Sequence, residues 1–209
     1  MQLSSSELIT EPSSVDRRLA EMNLTREGLL RVRDIALGAA AEATAYHPSF
    51  SPGMKSYMEG IAALRFEFIQ LGSEWRLEKH NGMDFIRNDA LEVRLGFSNV
   101  KGSVLPDVGP RARSPRGPGT ERACQSNFSI DFGEEFKIPE GFEDKVATYF
   151  LMVDKDGCAE VSKPIIQAGN FADYLERLSI SDGSDFNLDP TPLDDDDDLS
   201  SFDPMVTRR

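Results

Sequence analysis

From Thr25 to Gly72 apolar residues recur every three or four positions, and from Trp75 onward they alternate one by one. A 3.6-residue period lays an apolar stripe along a helix, and a two-residue period paints one face of a strand. The switch confines the chain to helices first and strands afterwards, an α+β arrangement. Thr25 caps a first helix whose stripe is Leu29, Val32, Ala36, Ala39 or Ala40, and Ala43, ended by His47-Pro48. A second helix opens at Ser51-Pro52 and carries Met54, Tyr57, Met58, Ile61, Leu64, Phe68 and Leu71 before Gly72 stops it. The short link between them makes a helical hairpin over 25–71.

Trp75 to Glu78 alternates, Asn81-Gly82 is a hairpin turn, and Leu91, Val93, Leu95 and Phe97 form a half-buried strand, which together give a three-stranded meander. Phe128 to Phe132 alternates again. Ala147 to Val153 reads as a central strand, and Cys158 to Ile166 as its return beyond Asp154 to Gly157. Asn170 is placed to cap a short helix near 171–178. The expected fold is a helical hairpin packed on an antiparallel β-sheet built from 75–97 and 128–166. The expected boundaries are a flexible segment 1–22, one α+β domain 23–180, and a disordered acidic C-terminal tail 181–209. Met1 to Pro12 has neither the basic nor the apolar region of a secretory leader, and Gln2 rules out myristoylation, so the cytoplasm is the expected compartment.

Charge divides this frame unevenly. The 209 residues carry a formal charge of −13, and only 39% are hydrophobic, less than a fully packed chain usually holds. Ser181 to Arg209 has nine Asp and two Arg, a net of −7. Between Asn99 and Arg122 lies a loop with four Gly and four Pro, where Lys101, Arg111, Arg113, Arg116 and Arg122 outweigh Asp107 and Glu121. Arginines so grouped suit phosphate, and Trp75, Phe97 and Phe128 are candidate stacking partners for a single-stranded nucleic acid. The tail joins acid to apolar residues: Phe186, Leu188, Leu193 and Phe202 punctuate the run Asp194, Asp195, Asp196, Asp197 and Asp198. Such alternation is typical of segments that dock on a protein partner.

Catalytic patterns are sparse. His47, His80, Cys124 and Cys158 have no local metal spacing, and no phosphate-binding loop or serine elbow occurs, so no cofactor is expected. Glu59 on the second helix, Asp84 on one strand, and Glu92 with Arg94 on the next resemble the restriction-endonuclease-like core over residues 59–94. That resemblance implies Mg²⁺ held by the carboxylates, with Arg94 where the family has Lys and no Pro ahead of Asp84. Alternation along an amphipathic strand accounts for Glu92 and Arg94 equally well. The expected function is a non-enzymatic interaction protein whose tail docks on a protein partner. The alternatives are a single-stranded nucleic-acid binder whose tail competes for the basic loop, and the Mg²⁺-dependent nuclease. A nucleic-acid mimic would need carboxylates fixed at phosphate spacing, which a floppy tail does not supply.

Overall fold

Pro12–Glu21 (α1), Arg26–Ala41 (α2) and Ser51–Phe68 (α3) are the helices of the N-terminal third, each with a local cause. The computed structural model describes residues 8–70, 72–113, 117–131 and 146–186. Helix α1 is capped by Glu11, whose carboxylate accepts from Ser13 N at 3.1 Å and Ser14 N at 2.6 Å, with Pro12 in the first turn. The hydroxyls of Ser14 and Ser13, then their N–H groups, hold that carboxyl down at about 2. Val15 and Leu19 of α1 are buried with Met22, so part of the segment expected to be flexible contributes to the core. Thr25 caps α2 as expected, accepting from Gly28 N at 3.2 Å, and its stripe of Leu29, Val32, Ala36 and Ala39 is buried. Helix α3 begins at Ser51, but Phe50 occupies the cap position and no side chain caps it. Gly60 lets α3 approach the sheet, since a Cβ there would stand 2.8 Å from the Phe97 ring.

The strands are Leu8–Ile9 (β1), Trp75–His80 (β2), Met83–Asn88 (β3), Val93–Lys101 (β4), Arg111–Ala112 (β5), Ala147–Val153 (β6), Cys158–Gln167 (β7) and Asn170–Asp182 (β8). They form one sheet in the order β1-β8-β7-β6-β4-β3-β2, with β5 on β4. The β2-β3-β4 meander is antiparallel as expected, turned by Asn81 and Gly82 at φ 51° and 80°. The sheet as a whole is mixed, because β4 pairs β6 in parallel and β1 pairs β8 in parallel. Parallel neighbours need a long crossover, and this one includes the helix Pro118–Asp131 (α4). Residues 118–131 were expected as the end of a loop and the start of a strand. Thr120, Ala123, Cys124 and Asn127 give the helix a buried side at helical spacing, but half of it is polar, so it does not show as an apolar stripe.

The helix expected near 171–178 is the strand β8. Ala168 and Gly169, at φ 50° and 74°, turn β7 back on itself, and β8 pairs β7 from Asn170 to Asp182. Pro164 sits at one of the register shifts between them, where a missing N–H is tolerated. One face of the sheet takes α1–α3 and packs Ile86, Leu95, Phe97, Leu151, Val161 and Leu178. The other takes α4 and packs Phe85, Phe150, Met152, Ile166 and Tyr174. Among the described residues no helix is long and apolar enough to cross a membrane.

Candidate functional site

The long Gly/Pro loop is pinned to the α4 face of the sheet by a buried ion pair. Arg177 of β8 donates from Nε to Glu160 Oε1 at 3.0 Å and from Nη2 to Oε2 at 2.8 Å, and both side chains are 0% exposed. The pair then reaches the loop. Arg177 Nη1 donates to Leu105 O at 3.0 Å, and Glu160 Oε2 accepts from Val104 N at 2.7 Å. Ser103 N donates to Asp154 Oδ2 at 3.2 Å, and the Tyr174 hydroxyl donates to Pro110 O. Burial raises the Asp154 carboxyl above its usual range, against the backbone N–H groups of Asp156, Cys158 and Ser103 that favour its charged form. Buried charge of this kind is costly to strand and fixes geometry when fully satisfied.

Held this way, the loop presents cations. Lys101 and Arg111 are directly opposite each other on β4 and β5, and both are exposed, as are Arg113 and Arg122. Arg113 donates to Val100 O at 3.3 Å. Among the described residues Lys101, Arg111 and Arg122 have no carboxylate partner. Arg116 and the side chain of Phe128 lie outside the described residues. Trp75 and Phe97 are buried in the core on the α1–α3 face, so neither stacks beside this loop.

A second constellation holds the root of the tail. Arg33 of α2 donates from Nη1 to Asp185 Oδ1 and from Nη2 to Asp185 Oδ2, both at 2.9 Å. It also donates to Ser181 Oγ at 2.8 Å and Gly157 O at 3.2 Å. Its guanidinium lies 5.2 Å from the centroid of the Phe186 ring. Burial disfavours the charged guanidinium, but the bonds to Asp185 and Asp34 outweigh it and hold its pKa above the ordinary value. Phe186 packs against Gly157, where a Cβ would stand 2.6 Å from the Phe186 Cβ. Phe186, expected to meet a partner, therefore sits on the body. Leu188, Leu193, Asp194, Asp195, Asp196, Asp197, Asp198 and Phe202 lie outside the described residues.

The nuclease-like residues are not brought together. Asp84 shares the α1–α3 face with Ile86 and accepts from Arg65 Nη2 at 2.7 Å. Arg94, next to Leu95, points to the opposite face, where it lies 3.5 Å from Glu78 and over the Phe85 ring. Glu59 is on the outer side of α3, and Glu92 is exposed in the turn before β4. Two-ligand Mg²⁺ chemistry needs carboxylates that converge, and these diverge. Among the described residues no group of three or more His, Cys, Asp or Glu could hold a metal. His47 Nδ1 accepts from Thr44 N at 3.0 Å, and burial, then Arg94, lowers the pKa of His80. Cys124 is on the buried side of α4, while burial and Asp154 push the Cys158 thiol up to about 11.

Arg33, Glu160 and Arg177 escaped the sequence reading. Only Glu160 carries a local signal, a charge between Ala159 and Val161; Arg33 stands between Arg31 and Asp34, and Arg177 follows Glu176, so neither is set apart by its neighbours. Comparison with family models, with curated proteins and with solved structures gives no match.

Proposed function

We propose that the chain is a non-enzymatic interaction protein whose folded body presents an acidic, apolar-punctuated tail to a protein partner. The observation that carries this reading is the root of the tail. Asp185 and Phe186 are fixed on α2 and on the turn before β7 by Arg33 and Gly157, so residues from 187 onward start from one defined point. A fixed origin raises the effective concentration of a short motif near a partner that also touches the body. With Phe186 engaged on the body, the docking residues are Leu188, Leu193, Leu199 and Phe202, and Asp194 to Asp198 steer a basic partner. The reading carries a cytoplasmic setting, where Cys124 and Cys158 stay reduced. The test is a paired pull-down with the full chain and with a chain ending at Phe186, scored for protein and nucleic acid together. A protein recovered only by the full chain supports the reading; identical recoveries overturn it.

A second reading rests on Lys101 and Arg111. Like charges directly opposite on paired strands repel, and an anion between them relieves the repulsion. We propose phosphate contacts of a nucleic acid as that anion, without the aromatic stacking expected from the sequence. Lys101→Ala with Arg111→Ala should abolish oligonucleotide binding at low salt, and removal of 187–209 should strengthen it. No binding by the truncated chain at low salt removes this reading.

A further inference from the structure

The sheet has two edges, and they are treated differently. At one end β1 pairs with β8, and beyond β1 the Arg26 side chain donates to Ser179 O at 3.3 Å and Ile180 O at 2.7 Å. At the other end β2 is last in the strand order, and among the described residues no strand pairs with its outer side. A bare edge is a template for another chain. Lys79 is a guard of the kind that edges carry, but β2 has no proline, its register with β3 is unbroken from Trp75 to His80, and Leu77 in its middle is 60% exposed. The backbone groups on the bare side can be assigned. His80 and Met83 flank the two-residue Asn81-Gly82 turn and so bond to each other. Counting back by twos, Glu78 and Arg76 also bond toward β3, and Trp75, Leu77 and Lys79 turn their N–H and C=O groups outward. Two contacts agree: Trp75 N donates to Ser73 Oγ at 3.1 Å, and Leu77 O accepts from Arg76 Nη1 at 3.5 Å.

This alternation makes β2 complementary to itself in one register. Outward residues must meet outward residues, so an antiparallel second copy that pairs most of the strand has its two-fold axis at Arg76, Leu77 or Glu78. An axis at Arg76 sets that guanidinium against its own copy, and an axis at Glu78 does the same to a carboxylate; like charges directly opposite repel. An axis at Leu77 sets Leu77 on Leu77, Arg76 on Glu78 and Trp75 on Lys79. Arg76 and Glu78 already pair within the chain, with Asp89 and Arg87, so across the axis they select the register more than they add strength. Ser73 keeps the Trp75 N–H, which leaves the bonds between the two Leu77 residues and those from Lys79 N to Trp75 O. Glu74 to Lys79 is neutral, with Arg76 and Lys79 against Glu74 and Glu78, although the chain carries −13. The acidic tail leaves from β8, at the far end of the sheet.

We propose that a second copy of this chain pairs with β2, antiparallel and centred on Leu77, joining two sheets into one with the roots of the two tails at its outer ends. The proposal does not depend on what the tails bind. A strand of 6 residues buries less than the ~1,000 Å² of a stable interface, so the dimer is weak, with a Kd on the order of 10–100 µM. Sedimentation velocity of the full chain from ~1 to ~500 µM should show reversible dimerisation. Leu77→Pro removes an outward N–H that the fold does not use, so it should keep the circular dichroism of the parent and weaken the dimer at least about tenfold. Arg76→Glu sets a carboxylate against Glu78 of the second copy and should weaken it too. Single cysteines in a Cys158→Ser background read the register independently of these variants. Oxidation should link Leu77→Cys to its own copy, because bonded antiparallel neighbours stand ~5.5 Å apart, and should link Arg76→Cys and Lys79→Cys far more slowly. A monomer throughout the concentration range, a dimer that Leu77→Pro leaves intact, or linking at Arg76→Cys or Lys79→Cys as fast as at Leu77→Cys would each overturn the proposal.

Discussion

Arg33 and Asp185 join α2 to the end of β8 through two hydrogen bonds of 2.9 Å between a buried guanidinium and a half-exposed carboxylate. They stand 152 residues apart in the chain, and the pair is what turns the last strand into an anchor for the segment that follows. Phe186 then lies on the anchor instead of in solvent.

Arg33→Ala should therefore release Asp185 and Phe186 together. It also strands Gly157 O, so a stability loss of about 2 kcal/mol is expected, moderated because Asp185 can be rehydrated. Chemical denaturation measures the loss, and proton NMR of the Phe186 ring reports the release. Asp185→Asn should weaken the same contact while keeping the shape.

Acid should loosen this root late. The bonds from Arg33, then from Ser181, hold the Asp185 carboxyl well below the ordinary Asp range, although its partial burial works the other way. A depressed folded value means that the contribution is complete above the unfolded value of ~3.9 and is lost only as the pH falls toward the folded one. The Phe186 ring shift should hold steady through pH ~4 and change below it. In Arg33→Ala that late transition should be absent.

Removing one member of the Glu160–Arg177 pair leaves a charge at 0% exposure. Glu160→Gln or Arg177→Met alone should cost about 3–5 kcal/mol. The double variant should lose less than the sum of the two, with a coupling of about 0.5–3 kcal/mol. It should also free Val104 and Leu105, so limited proteolysis within 102–113 should accelerate in the double variant even under native conditions.

Lys101→Glu replaces a repulsive cross-strand pair by an attractive one. The melting temperature should rise, in line with a gain of up to about 1 kcal/mol. A gain in stability combined with any loss of oligonucleotide binding would mark Lys101 as functional, since a structural residue would not improve the fold when changed.

The legible parts of the fold are those with local signals. Thr25 and the Leu29–Ala39 stripe announced α2, and Asn81-Gly82 announced the meander. Helix α4 was hidden because, among the residues whose burial is described, its buried side of Thr120, Ala123, Cys124 and Asn127 is half polar, and because Phe128-Ser129-Ile130 also fits a strand. Tyr174, Leu175 and Leu178 fit a helix as well as a strand; only Leu178 and Ile180 keep a two-residue period on one face, while Tyr174 packs on the other face beyond the irregularities in the β7–β8 pairing. The helical stripe of α3 was read as one face, although Met54 and Met58 belong to an outward row distinct from Ile61 and Leu64. Of the sites, the basic loop and the root of the tail were visible as composition. The charges that fix them, Arg33, Glu160 and Arg177, act between distant segments and leave no local spacing to read.

The most direct measurement of the central claim is the dissociation constant of the recovered protein partner for three forms: the full chain, the chain ending at Phe186, and full-length Arg33→Ala, by isothermal titration above and below ~0.1 M salt. The account predicts that the chain ending at Phe186 does not bind, that Arg33→Ala binds more weakly than the full chain, and that higher salt weakens both. Binding of equal strength by the full chain and by the chain ending at Phe186 would contradict it.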